Sequence, residues 1–220
     1  MSNRYTATHT SLRTAGIMVV FTLAFTSMMS QTYRVTRPAI EASEQEQKMR
    51  LINDVLPPGS YDNTLLEDFV AAGPTPALGL DRGGRIYRAR RAGVPAALVF
   101  EAVAPDGYGG KIQLVVAVGA DGRLGGVRVT AHKETPGLGD YIDPRKDRNK
   151  TRPWIGQFVG MSLADVAPAQ WKVKRDGGIF AYRIGATISA RAVTNATGRV
   201  LEYAAEHRDA LFAASTGSAI

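Results

Sequence analysis

The chain has 220 residues, with 27 Lys+Arg against 20 Asp+Glu and a formal net charge of +7. That length suits one domain with a sizeable core plus an N-terminal appendage, and it is cramped for two full domains. With no Cys at all, disulfides, thiolate metal sites and protein-held iron–sulfur clusters are excluded, so any redox chemistry rests on an organic cofactor. Arg4, Arg13, Arg34 and Arg37 flank one apolar segment, and no acid precedes Glu41. More than half of the excess charge therefore belongs to that segment. Elsewhere the basic residues are dispersed among acids rather than interleaved with aromatics in a stripe, so nucleic acid is not an expected partner.

Residues 14–33 are uncharged throughout. As a helix they would extend roughly 30 Å, the thickness of a bilayer's hydrocarbon core. A cleaved signal peptide is the rival reading, but Ser27-Met-Met-Ser-Gln-Thr-Tyr33 offers no Ala-x-Ala-like cleavage site, which favours a retained anchor. Two arginines on each side leave the orientation open to the positive-inside rule. The expected organisation is a cytoplasmic tail over 1–13, a transmembrane helix over 14–33, a helical stalk over 34–58 and an extracytoplasmic domain over 59–220. In the stalk, Ile40, Ser43, Gln47, Leu51 and Val55 recur near the helical period, and Pro57-Pro58 stops the pattern.

From residue 84 the period shortens. Runs 85–90 and 97–103 read as strands, and 111–118 and 124–130 read as a hairpin around the Gly-rich turn Gly119-Ala-Asp-Gly-Arg123. A further strand pair is expected at 171–175 and 179–183, joined by Asp176-Gly-Gly178, and Gly73 to Gly79 reads as a surface loop. After Ser189, a plausible N-cap, Val193, Ala196, Val200, Ala204 and Leu211 follow the helical period. Antiparallel pairing without regular strand–helix alternation makes the fold class α+β.

Conventional catalytic sets are poorly represented. The three histidines, His9, His132 and His207, support no zinc site or serine triad, and His132 reads as an exposed or capping residue. Glu134, Asp140, Asp143 and Asp147 alternate with Lys146, Arg148 and Lys150 and read as a solvated, salt-bridged loop. The glycine clusters at 83–84, 109–110 and 125–126 lack dinucleotide-loop spacing and read as turns. No metal site and no independent catalytic residue is expected.

Two stretches remain, His132-Lys-Glu-Thr-Pro-Gly-Leu-Gly139 after a strand and Gly185-Ala-Thr-Ile-Ser-Ala-Arg-Ala-Val193 between a strand and a helix. On these, with the N-terminal anchor, the stalk and the Trp154 to Gly160 segment, the chain resembles the G subunit of the Rnf ion-translocating electron-transport complex. That family carries an FMN-binding domain related to the C subunit of the sodium-pumping NADH:quinone reductase. The resemblance covers nearly the whole chain. It implies a single-pass protein of the bacterial inner membrane with its domain on the periplasmic side. It further implies FMN joined by a phosphoester to Thr187, with electrons passing through that flavin inside a membrane-bound ferredoxin:NAD oxidoreductase complex. Other membrane and peripheral subunits, and a flavin transferase for maturation, are the implied partners.

The expected cofactor site comprises Thr187 with Gly185, Ala186, Ile188 and Ser189 on one side, and Glu134, Thr135, Gly137, Leu138 and Gly139 on the other. A phosphate on the Thr187 hydroxyl would meet the unpaired N–H groups and positive dipole end of the C-terminal helix, where Arg191 adds charge. The chain departs from the family at two places. Relatives have an acid six positions before the acceptor and Ser or Thr three before it, where this chain has Ala181 and Ile184. Those departures favour the alternative of a flavin-free structural subunit of the same kind of complex.

Overall fold

The computed structural model describes residues 7–219; Arg4 and the start of the expected tail lie outside them. The chain divides into two compact units, Met1–Gln47 and Lys48–Ile220. Helix α1 runs over Ala7–Asn53 with Pro38 inside it, and so covers residues 14–33 and the part of 34–58 that ends at Asn53. Its apolar stretch is long enough to cross a membrane, and none of that window is buried. Phe21, Leu23, Phe25, Met28 and Met29 are all exposed. A core helix of a water-soluble domain would hide such side chains, because each fully buried one contributes about 1.5–3 kcal/mol.

In the second unit a five-stranded antiparallel sheet follows chain order, β1 (Phe69–Ala72), β2 (Gly84–Arg91), β3 (Val94–Gly107), β4 (Gly110–Gly119) and β5 (Leu124–Ala131). The register sorts the side chains into two faces. Ile86, Phe100, Val116 and Val127 form one row across four strands, and this row belongs to the main core under helix α2 (Thr187–Ala213). The next row, Tyr87, Val99, Ala117 and Gly126, faces the other way. It is covered by Ile52, Val55, Leu56 and Leu65. With both faces buried, the β-strands read as near-continuous apolar runs, as 111–118 does.

α2 packs chiefly along β3. Ala190, Val193, Ala196, Val200, Ala204 and Leu211 are buried at three- and four-residue spacing, the stripe that a helix on a sheet requires.

Three expectations change. Strand β1 was not foreseen, since its four residues are too few to show a period. Leu78, in the stretch read as a surface loop, is buried in the core from a 3₁₀ turn over Pro76–Leu78. The strand pair expected at 171–175 and 179–183 is absent: Val173 and Phe180 make one isolated bridge, and Lys174–Asp176 is a 3₁₀ turn. Trp171 and Val173 do alternate with exposed lysines. Their partners, however, are aromatic rings. Trp171 lies 4.7 Å from Phe180, Phe180 lies 5.0 Å from Phe158, and Phe158 lies 5.4 Å from Trp154, centroid to centroid. An aromatic cluster imitates strand periodicity without a ladder.

Candidate functional site

The cluster supports the segment that leads into α2. Ala181 donates its N–H to Gln157 Oε1 at 2.8 Å, and its carbonyl accepts Trp154 Nε1–H at 2.7 Å. The Tyr141 hydroxyl accepts the Arg183 N–H at 3.1 Å and donates to the Ala186 carbonyl at 3.3 Å. Arg183 stacks 4.5 Å from the Tyr141 ring centroid and pairs with Asp147. Asp147 also accepts the N–H groups of Asn149 at 3.0 Å and Trp154 at 2.7 Å. Burial pushes the Asp147 carboxyl up, but those amides and Arg183 outweigh it and hold the group below the usual carboxylate range. Because the folded value is depressed, this contribution to stability is complete above the ordinary carboxylate pKa of about 3.9 and fades as pH falls through the folded value.

The four acids expected to be solvated are instead buried. Each has internal partners. Besides Asp147, Asp143 takes a two-pronged hydrogen bond from Arg145, Asp140 accepts the Gly137 N–H at 2.9 Å, and Glu134 accepts the Gly109 N–H at 3.0 Å and the Ser189 hydroxyl. Asp143 and Asp147 form ion pairs, but with Arg145 and Arg183 rather than with the alternating Lys146, Arg148 and Lys150. Burial was not foreseen, because charge alternation in a sequence looks the same whether a carboxylate points out or in. Among the described residues no cluster of histidine and acid side chains is arranged to hold a metal ion. His132 is half-buried and caps the Glu134 N–H through Nδ1 at 3.1 Å.

Helix α2 starts at Thr187, two residues earlier than expected. Its N-cap is Ala186, which supplies no side-chain hydrogen bond, and no acid occupies its first turn. Ser189 is therefore not the cap. It is the third helical residue, and its hydroxyl is given to Glu134. The loop that faces it, residues 134–139, is a tight turn in which Leu138 and Gly139 both donate N–H groups to the Thr135 carbonyl at 3.1 Å. Gly139 lies where a Cβ would stand 2.5 Å from Ser189 Oγ and 2.8 Å from Glu134 Oε2. The close approach of loop and helix thus depends on the missing side chain.

Between loop and helix lies a cleft of about 290 Å³, lined by Glu134, Thr135, Leu138, Gly139, Gly185, Ala186, Thr187, Ile188 and Ser189, with Tyr108 from the β3–β4 hairpin tip. The two motifs, some fifty residues apart in sequence, meet there. Gly137 is exposed in the turn and is not part of the lining. Arg191 is also elsewhere, because its guanidinium pairs with Asp176. Ile184 is 93 % exposed and lies outside the lining. Tyr108 was missed by sequence reasoning, although an aromatic among Gly107, Gly109 and Gly110 was the available signal. A larger groove of about 640 Å³ beside Lys48, Arg82 and Lys111 contains neither motif.

Residues 107–202 match the model of the FMN-binding domain, and residues 1–55 match that of the RnfG N-terminal region. The chain is 44 % identical over 202 residues to a Pseudomonas aeruginosa protein named as the G subunit of an ion-translocating oxidoreductase complex, with 92 % of each chain covered. Proteins of the same name from Pseudoalteromonas atlantica and Vibrio cholerae are 40 % and 38 % identical; the alignments cover 90 % of both chains and 92 % and 94 % respectively. The chain belongs to the family of Rnf-complex G subunits. As a member of that family with a candidate span among the described residues, it is a membrane protein. The FMN-binding match runs from the β3–β4 hairpin tip into α2, so it includes every residue that lines the cleft.

Proposed function

We propose that this chain is the electron-carrying flavoprotein subunit of an ion-translocating oxidoreductase complex, with FMN joined by a phosphoester to Thr187. One observation carries the reading: Thr187 lines the cleft where the two motifs meet. Three hydroxyls lie close together at this helix start. Ser189 gives its hydroxyl to Glu134, and Thr194 is fully buried. Of these three, Thr187 lines the cleft without giving its hydroxyl to a carboxylate, whereas Thr194 lies outside the lining.

The surroundings fit a flavin phosphate and ring. The start of α2 has neither a side-chain cap nor an acid, so its backbone N–H groups and dipole favour an anion there. Leu138 and Ile188 are 55 % and 42 % exposed at the cleft, and exposed apolar side chains on a concave wall suit a planar ring. Thr135 offers a hydroxyl to its polar edge. When bound, FMN supplies electron transfer one electron at a time; the protein positions it and shapes its surroundings. Replacing Leu138 with Asp is expected to shift or bleach the flavin absorption without releasing the protein from the membrane. An unchanged spectrum would remove this loop from the site.

The relatives' name gives the assembly, so other subunits of such a complex are the proposed partners, together with a flavin transferase. Electron passage between ferredoxin and NAD within that complex belongs to the same proposal. We further place residues 1–13 in the cytoplasm and the domain on the periplasmic side of a retained anchor. A reporter that functions only after export, fused behind Ile220, should be active; cytoplasmic activity would reverse the topology.

A second reading, a flavin-free structural subunit, draws on Ala181 and Ile184. Ala181 contributes to the loop through its backbone alone, and the Ile184 side chain projects into solvent. Both departures therefore leave the local fold intact and bear on recognition by the transferase. A visible spectrum of purified protein, before and after denaturation, separates the readings. Flavin retained by the denatured chain is covalent, flavin released was held noncovalently, and no flavin at all supports the structural role.

A further inference from the structure

We propose that Tyr108 lays its phenol ring against the isoalloxazine and that the Glu134 carboxylate positions it there; the inference rests on the flavin reading above. Tyr108 stands at the tip of the β3–β4 hairpin, where Gly107 and Gly110 are paired. It is 70 % exposed, and yet it lines the same cleft as Thr187. A large aromatic side chain left open at the mouth of a cleft has surface to offer a planar ligand, and stacked or edge-on ring contacts add roughly 0.5–1.5 kcal/mol beyond simple burial.

The hairpin tip is not a free flap. Gly109 donates its N–H to Glu134 Oε1 at 3.0 Å, and its backbone presses so closely on the Lys133 carbonyl that any side chain there would collide. A Cβ on Gly107 would lie 2.8 Å from the same Glu134 oxygen. The other carboxylate oxygen accepts the Ser189 hydroxyl on the first turn of α2. One buried carboxylate thereby joins the tip that carries Tyr108 to the helix start that carries Thr187. Ionised, Glu134 is acceptor-only and suits two donors, one on each oxygen. Glu134 is thus a positioning residue, and Tyr108 a ligand-contacting one.

The test uses full-length protein with its flavin, purified in detergent, and reads fluorescence per bound flavin together with its anisotropy. An electron-rich phenol in contact with an excited flavin quenches its emission. Tyr108→Leu, at an exposed tip where folding is undisturbed, should brighten each flavin severalfold, whereas Tyr108→Trp should keep it dim. Glu134→Ala should brighten the flavin and lower its anisotropy with Tyr108 still present, because the tip is unlatched. Equal emission per flavin in wild type and Tyr108→Leu would overturn the inference while leaving the flavin reading in place. A wild-type protein without flavin would overturn both.

Discussion

Thr187→Ala is expected to abolish covalent flavin. In wild type, intact mass should exceed the polypeptide by about one FMN, and the denatured band should fluoresce in the gel. Alanine should show neither, whereas Thr187→Ser keeps a hydroxyl at the first residue of α2 and should be modified in part. The effect is all-or-none because the neighbouring hydroxyls cannot substitute. Ser189 is committed to Glu134, and Thr194 has no exposed surface. Alanine is also well tolerated in a helix, so the variant should fold. A covalent flavin that persists in Thr187→Ala would place the acceptor elsewhere. Absence of flavin from wild type would instead shift weight to Ala181 and Ile184 and to the reading as a structural component.

Arg88→Met should destabilise the domain by about 3–5 kcal/mol, the usual consequence of removing one partner from a buried ion pair. Arg88 is only 2 % exposed. Its Nε donates to Asp68 Oδ1 at 2.7 Å, Nη1 to the carbonyls of Leu211 (3.2 Å) and Ala214, and Nη2 to Thr216 Oγ1 at 2.8 Å. Arg90 reaches the other Asp68 oxygen at 3.1 Å and the Phe212 carbonyl at 2.8 Å. Two arginines from β2 thus satisfy carbonyls at the end of α2, which has no basic residue in its own last turn. Methionine retains the bulk but leaves Asp68 with Arg90 as its remaining charged partner and strands the carbonyls of Leu211 and Ala214. In a domain of this size the thermal midpoint should fall by roughly 10 °C or more, read by near-UV circular dichroism of the solubilised protein. Arg88→Lys, which keeps the charge but loses the planar fork, should fall between. A midpoint within a degree or two of wild type would show that the clasp contributes little.

Much of this was legible in the sequence, and the losses have physical causes. The central strands and α2 show themselves through period, and the two motifs stand out because their glycines and threonines have no place in an ordinary amphipathic pattern. The Arg88 clasp leaves no such mark. Its partners at the end of α2, Leu211, Ala214 and Thr216, lie more than a hundred residues away, and an arginine in a strand ordinarily faces water. Glu134 was singled out for its motif, but its partnership with Ser189 and Gly109 depends on how three segments close around it. The start of α2 was misplaced for a related reason. A serine before an apolar run looks like a cap, but the helix already begins at Thr187, and the serine hydroxyl goes to Glu134 instead. The missing strand pair at 171–183 marks the limit of period-two reasoning, since alternate burial arises wherever aromatic side chains anchor an irregular segment.

Both margins of the sheet are partly occupied by the chain itself. Along β1, Ala71 donates its N–H to Ser218 and Phe69 accepts from Gly217, so the C-terminal residues run beside the strand. At the start of β5, Leu124 accepts the Gly160 N–H and donates to Met161. Unpaired strand margins invite other chains to zip on, in productive assembly and in aggregation alike. A protein that works among other subunits in a crowded membrane gains from closing that route. A neighbour that sought to extend the sheet at these points would first have to displace native pairs.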